Sequence, residues 1–192
     1  MRNVFITFTP YHILLSCAIA FDKHAQEENY LFVISDFDEA GALIKAMEGW
    51  SGCPFAEIES LPGVYGKASM FRRRFTVRRN IAAISKSVKE DKIDRVFVCH
   101  DERAEAQAAL HFAKKGNKNT VGVYVEDGAG AYSSYRSTKR PLHKLLLGKL
   151  FYGPWWADVS VLGTSRWIDE VKAIFPQLVR PELRLKCVNS VP

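Results

Sequence analysis

The residues VGVYVEDGAGAY at positions 121–132 decide how this chain is interpreted. The first five are apolar and mostly β-branched, which is typical of a buried strand, and they end abruptly in two acids and a Gly-Ala-Gly turn. In an open α/β sheet, ligands bind in the crevice beyond the carboxyl ends of the strands. Glu126 and Asp127 are therefore candidates for chemistry. The alternative is that Asp127 only closes a turn, because Asp-Gly is a common turn dipeptide.

Strands and helices alternate along the rest of the chain. Apolar runs predict strands at 4–8, 30–35, 55–58, 95–99, 120–125 and 158–162. Helical patterns fall between them, at 11–25, around Leu43, and at 71–90, 104–115, 141–151 and 167–175. Thr9 and Pro10 suit the N-cap and first turn of the first helix. This alternation predicts one α/β domain, a Rossmann-like, doubly wound and mainly parallel sheet.

Several polar residues lie at or just beyond the predicted strand ends, as the two acids do. They are Thr9, His12, Asp36, His100 and Asp101. Because the carboxyl ends of parallel strands meet at one edge, we expect these side chains to border one crevice. The alternative for each histidine is a purely structural role. Asp36 and Asp38 also form a D-x-D pair of the kind that holds divalent cations, but Asp38 as a helix N-cap explains it without a metal, and no metal site is predicted.

The composition bounds the classes of protein. The 192 residues have an ordinary globular composition with a net charge of +6, which favours acidic partners. The four cysteines are scattered, so we interpret them as reduced thiols and not as a zinc site. Neither a phosphate-binding GxxxxGKS/T loop, a GxGxxG turn nor a GxSxG elbow follows a strand. No apolar run reaches the length of a membrane span, and a cytoplasmic location is expected.

The positive charge is concentrated in two tracts. Residues 71–79 read FRRRFTVRR, and a second tract runs from Arg136 to Lys149 and ends near Trp155 and Trp156. One interpretation is a solvated charged face; the other is contact with an anionic glycan or, peripherally, with the inner membrane. Nucleic acid is not an expected partner, because no recognised binding motif accompanies the charge.

The acid-acid-glycine turn at 126–128, with Tyr132 close behind it, resembles the motif of bacterial sialyltransferases of the lipooligosaccharide and capsule polysialyltransferase types. The opening residues FITFTPYH at 5–12 resemble the first strand and Thr-Pro turn of the same enzymes. The resemblance implies the N-terminal half of a GT-B glycosyltransferase. Residues 1–180 would form its acceptor-side domain, and residues 181–192 an exit segment toward a C-terminal donor domain outside this chain.

The resemblance also implies roles for residues. Asp127 would be the general base on the acceptor hydroxyl, and Glu126 would share that role or orient its neighbour. The substrate-binding residues would be Gly128, Thr9, Pro10, Tyr11, His12, Asp36, His100, Asp101 and Tyr132. The partners would be a glycan acceptor and the donor CMP-sialic acid, with no cofactor and inversion at the anomeric carbon.

One departure from the family pattern stands out. The family contacts its donor through a His-Pro pair, and no His-Pro dipeptide occurs in these residues. The chain alone is therefore expected to be inactive. Two alternatives stay open: a glycosyltransferase that uses another nucleotide sugar, and a non-catalytic binding domain with a basic face.

Overall fold

A single parallel sheet forms the centre of the computed structural model, which describes residues 1–64, 69–90, 92–134, 136–138 and 140–191. Within those residues the strands are β1 (Arg2–Thr7), β2 (Glu28–Ser35), β3 (Glu57–Pro62), β4 (Arg95–Val98), β5 (Val121–Val125), β6 (Glu170–Ala173) and β7 (Cys187–Ser190). The helices are α1 (Pro10–Lys23), α2 (Ala40–Glu48), α3 (Met70–Glu90), α4 (Ala104–Gly116) and α5 (Leu142–Tyr152). Short 3-10 helices occupy Ala129–Ala131 and Pro176–Leu178.

The strand order is β3-β2-β1-β4-β5-β6-β7, and every pair is parallel. The chain first winds outward from β1 to β3, then crosses back through α3 to β4 and winds the other way. The order therefore reverses between β1 and β4, and such a switch point opens a crevice at the carboxyl ends of the strands.

Two apolar clusters, one on each face of the sheet, make the fold a three-layer sandwich. In β1, Val4 and Ile6 belong to the cluster under α3 and α4, while Phe5 belongs to the cluster under α1 and α2. This alternation follows from the two-residue period of a strand, and burial on both faces explains why β1 is a continuous apolar run. The prediction of a doubly wound parallel sheet is confirmed.

Most predicted helices and strands lie within about two residues of their predicted positions. Thr9 is the N-cap of α1, as predicted, and its hydroxyl accepts a hydrogen bond from the His12 amide at 3.2 Å. One N-cap differs, since α2 is preceded by Glu39 and not by Asp38.

The predictions after residue 157 are wrong in three places. Residues 158–162 form a loop and not a strand, because Ser137 donates its amide to the Ser160 carbonyl at 2.9 Å and anchors this segment outside the sheet. The helix predicted at 167–175 is replaced by β6, which pairs with β5. Finally, β7 lies inside the segment 181–192 that was expected to leave the domain, and it pairs with β6. The boundary at residue 180 therefore does not coincide with the edge of the sheet.

None of the helices within the described ranges is long and apolar enough to cross a membrane.

Candidate active site

The candidate site lies at the carboxyl ends of β1, β4 and β5, on both sides of the switch point. His12 follows β1, His100 follows β4, and Asp127 follows β5. The imidazole centroids of His12 and His100 are 5.1 Å apart, and Nε2 of His100 is 3.9 Å from Oδ2 of Asp127. The topology thus brings together three residues that are separated by up to 115 positions in the sequence.

Asp127 is held by its own turn. Its Oδ1 accepts a hydrogen bond from the Tyr124 hydroxyl at 3.1 Å, and its side chain is 11% exposed. Gly128 has φ of 92°, in the left-handed region that favours glycine, so the chain reverses directly after the acid. Gly130 lies so close that a Cβ there would be 2.5 Å from Oδ1 of Asp127. Both glycines are therefore part of how the carboxylate is placed.

A pocket of about 240 Å³ opens beside this carboxylate. Its lining includes His100, Asp127, Glu102, Ser160 and Arg180. The Arg180 guanidinium donates to Glu182 at 3.1 Å, so its charge is partly balanced at the pocket rim. The pocket offers hydroxyl, imidazole and carboxylate groups on one wall, the mixture that recognises a polyhydroxylated ligand.

The two histidines are uncharged at neutral pH. His12 is buried, and burial together with the neighbouring His100 lowers its pKa to about 3. Burial also lowers the pKa of His100, while the negative charges of Asp127 and Glu102 oppose that shift. Both rings are thus neutral, and the Phe8 ring packs edge-on against each of them. The Asp127 carboxylate therefore faces an uncharged imidazole.

The Glu126 carboxylate, unlike that of Asp127, is buried among hydrogen-bond donors. Its buried carboxylate accepts from the Tyr11 hydroxyl at 3.1 Å, from the Ile174 amide at 2.7 Å, and from the Tyr132 hydroxyl. Burial and the nearby Glu126 charge raise the pKa of Tyr11 to about 12, so this phenol keeps its proton and donates. The carboxylate ties α1 and the end of β6 to β5, and these contacts favour the orienting role for Glu126.

Of the predicted site residues that the structure describes, Asp127 and His100 line this pocket and the others do not. Asp101 and Asp36 are held by contacts of their own. Asp101 is fully buried and accepts from the amides of Gly163 and Ser165 at 2.8 and 2.9 Å, which holds a turn after α5. Asp36 accepts from the Val64 amide at 2.6 Å and from the Arg103 guanidinium at 2.9 Å. Both oxygens of Asp36 thereby have protein hydrogen-bond partners, and the described part of the chain contains no cluster of three metal-ligating side chains.

Two contributions to the site were missed from the sequence. Tyr124 has the pattern of one more apolar strand residue. A buried tyrosine hydroxyl nevertheless needs a hydrogen-bond partner, and Asp127, three residues further along the chain, accepts from it. Ser160 and Arg180 come from loops that enter the pocket by tertiary contacts alone, and no local pattern marks them.

The fold belongs to a recognisable class of architecture: it is that of one half of a GT-B glycosyltransferase. One similar solved structure is apo UGT2 of Phytolacca americana, a plant UDP-glycosyltransferase, which superposes with a TM-score of 0.51 at 11% sequence identity. The match covers all of this chain and 52% of that protein, so the chain spans about half the length of its structural neighbour. No family model and no curated protein matches the sequence.

Proposed function

We propose that the chain is the acceptor-side domain of an inverting, metal-independent sialyltransferase that transfers sialic acid from CMP-sialic acid to a surface glycan. The observation that carries the proposal is the Asp127 carboxylate, which lies against the pocket beside the switch point of a GT-B half. The structural neighbour is a glycosyltransferase, which supports glycosyl transfer in general. The sialic acid donor rests on the Glu126-Asp127-Gly128 motif and its resemblance to bacterial sialyltransferases.

In the proposed reaction an acceptor hydroxyl sits in the pocket and hydrogen-bonds to Asp127. As its oxygen bonds to the anomeric carbon, the bond from that carbon to the CMP phosphate breaks and CMP leaves with the electron pair. The hydroxyl proton passes to Asp127. A base is needed because a sugar hydroxyl is a weak nucleophile, and a positioned base typically contributes ~10²–10⁴-fold. The donor is held by a second half of the protein outside these residues.

In this proposal the groups around Asp127 have supporting roles. The Tyr124 hydroxyl fixes one oxygen of Asp127 and leaves the other directed toward His100. A neutral His100 does not cancel the negative charge of the base by forming an ion pair with it. Glu126, held by Tyr11 and Tyr132, fixes the backbone from which Asp127 projects.

A second candidate is a transferase that uses another nucleotide sugar, and one observation favours it: the structural neighbour is a UDP-glycosyltransferase. The two candidates share Asp127 as base and differ only in the donor. A donor panel on the full-length parent protein separates them, with CMP-sialic acid and UDP-glucose offered beside the same acceptor extract. Release of CMP with a sialylated product supports the first candidate. Release of UDP with no turnover of CMP-sialic acid refutes it and selects the second.

A further inference from the structure

Helix α5 carries three leucines that are exposed and do not pack in the core. Leu142, Leu146 and Leu150 are 71%, 60% and 77% exposed, and none of the helix residues is buried. Spaced four residues apart, they line one face of the helix, and we name them the leucine ridge. The other side is fixed to the core by Gly148, where a Cβ would be 2.3 Å from the Trp156 ring. The ridge is therefore directed outward.

Positive charge flanks this ridge on α5 and on the side of α3, and an acid beside it, Asp158, is paired with Arg140. Lys144 and Lys149 lie on α5, which contains no acid. The first half of the neighbouring α3, residues 70–80, carries five arginines and no acid, together with Met70, Phe71 and Phe75 at 63–77% exposure. Large exposed apolar side chains are thus interleaved with cations on two adjacent helices.

A groove joins the two helices. It has a volume of about 530 Å³ and is lined by Met70 and Arg74 from α3 and by His143, Lys144 and Leu147 at α5. The Arg74 guanidinium lies 4.2 Å from the centroid of the Phe151 ring, which holds the two helices side by side. Among the residues that the structure describes, no Asp or Glu lines this groove. We name it the basic groove.

We propose that the leucine ridge and the basic groove form a docking surface for an anionic lipid bilayer. The leucines enter the boundary between headgroups and acyl chains, and the cations contact anionic headgroups. This combination of an apolar face flanked by Lys and Arg is the composition of helices that lie in a membrane interface. A soluble polyanion would use the cations and leave the leucines without a partner. A second copy of the same face would be repelled by its equal charge.

Vesicle sedimentation with the 192-residue chain tests this proposal. Phosphatidylcholine vesicles with about 30% phosphatidylglycerol are compared with pure phosphatidylcholine at low and high salt. We expect binding only to the anionic vesicles, weakening as salt screens the cations. The ridge variant Leu146→Ser/Leu150→Ser and the charge variant Lys144→Ser/Lys149→Ser are each expected to weaken binding by roughly 10-fold or more, on the scale of lost apolar burial and lost headgroup attraction.

Matched controls lie elsewhere on the chain. Leu14→Ser/Leu185→Ser removes two leucines that are 66% and 89% exposed, and Lys45→Ser/Lys118→Ser removes two exposed lysines. Both control variants are expected to bind like the wild type, and far-UV circular dichroism checks that all variants fold. The proposal is overturned if the ridge variant binds anionic vesicles normally, if the controls lose as much affinity, or if heparin binds equally to wild type and ridge variant while no vesicle binds. Because binding needs no turnover, these results are independent of the proposed transferase activity.

Discussion

Replacing Glu126 by Gln tests the interpretation of the buried acid as the residue that fixes the site. The carboxylate accepts three hydrogen bonds: its Oε1 from Tyr11 and its Oε2 from Tyr132 and the Ile174 amide. Glutamine keeps the size of the side chain but offers one accepting oxygen and one NH₂ group that can only donate. With the amide oxygen at the Oε2 position, the NH₂ group faces the Tyr11 hydroxyl, which must turn its own proton away and accept instead. With the amide reversed, the NH₂ group meets the Ile174 amide, which can only donate.

The magnitude follows from the number and kind of bonds. Hydrogen bonds to a charged group contribute about 1.5–3 kcal/mol each and neutral ones about 0.5–1.5, while an unsatisfied buried donor costs about 1–3 kcal/mol. Replacing two charge-assisted bonds by neutral ones and reversing or losing the third is therefore expected to lower the free energy of unfolding by roughly 2–4 kcal/mol. At about 2–4 °C per kcal/mol for a chain of this size, the melting temperature falls by roughly 5–15 °C.

Urea unfolding of the 192-residue chain, followed by circular dichroism, measures this change. Asp127→Asn is the matched control, because its amide oxygen can still accept from Tyr124 and the side chain borders the pocket. We expect that control to lose less than about 1 kcal/mol. If Glu126→Gln instead unfolds within about 0.5 kcal/mol of wild type, then the three hydrogen bonds do not secure the strand end, and the orienting role is wrong.

Two further predictions concern the histidine and glycine neighbours of Asp127. His12 has a folded-state pKa of about 3 against 6.5 when unfolded, so the stability it contributes is present above pH 6.5 and is lost as the pH falls toward 3. Between pH 7 and pH 5 the free energy of unfolding should therefore drop by roughly 2 kcal/mol more in the wild type than in His12→Phe, and equal drops in urea titrations would contradict this. Gly130→Ala should displace the Asp127 carboxylate, because the added Cβ would meet Oδ1 at 2.5 Å, and turnover of the parent protein should therefore fall by ~10²-fold. The control is Gly41→Ala, whose Cβ meets nothing within 4 Å and which should leave turnover unchanged. Normal turnover in Gly130→Ala would show that the position of this carboxylate does not matter.

The sequence predicts β1, β2, β4 and β5 to within about two residues because their signals are strong and local, whereas β3 (Glu57–Pro62) extends well beyond the predicted range 55–58. A run such as residues 4–8 or 121–125 is apolar on both faces, as a central parallel strand must be, and each run is followed by a helix with its own period. The carboxyl-edge cluster then follows from topology. Thr9, His100 and Asp127 could be assigned to one edge without knowing a single distance.

The last third of the chain could not be predicted in this way. Residues 167–175 have apolar positions that suit a short helix as well as a strand, and only the open edge of β5 selects the strand. Lys172 is a charged residue in a buried strand. Burial lowers its pKa, and the Glu170 charge opposes that shift. The roles of Asp36 and Asp101 were also hidden, since the amides that satisfy them belong to distant loops.

The central claim is that Asp127 takes the proton from an acceptor hydroxyl, and the turnover number of Asp127→Asn in the full-length parent tests it most directly. Asp38→Asn, an exposed acid at the same edge of the sheet, is the control. The account predicts that turnover falls by roughly 10²-fold or more in Asp127→Asn while the KM for the donor and the melting temperature change little, and that Asp38→Asn is unaffected. An Asp127→Asn protein that turns over at the normal rate but melts well below wild type would contradict the account, since Asp127 would then only close the turn.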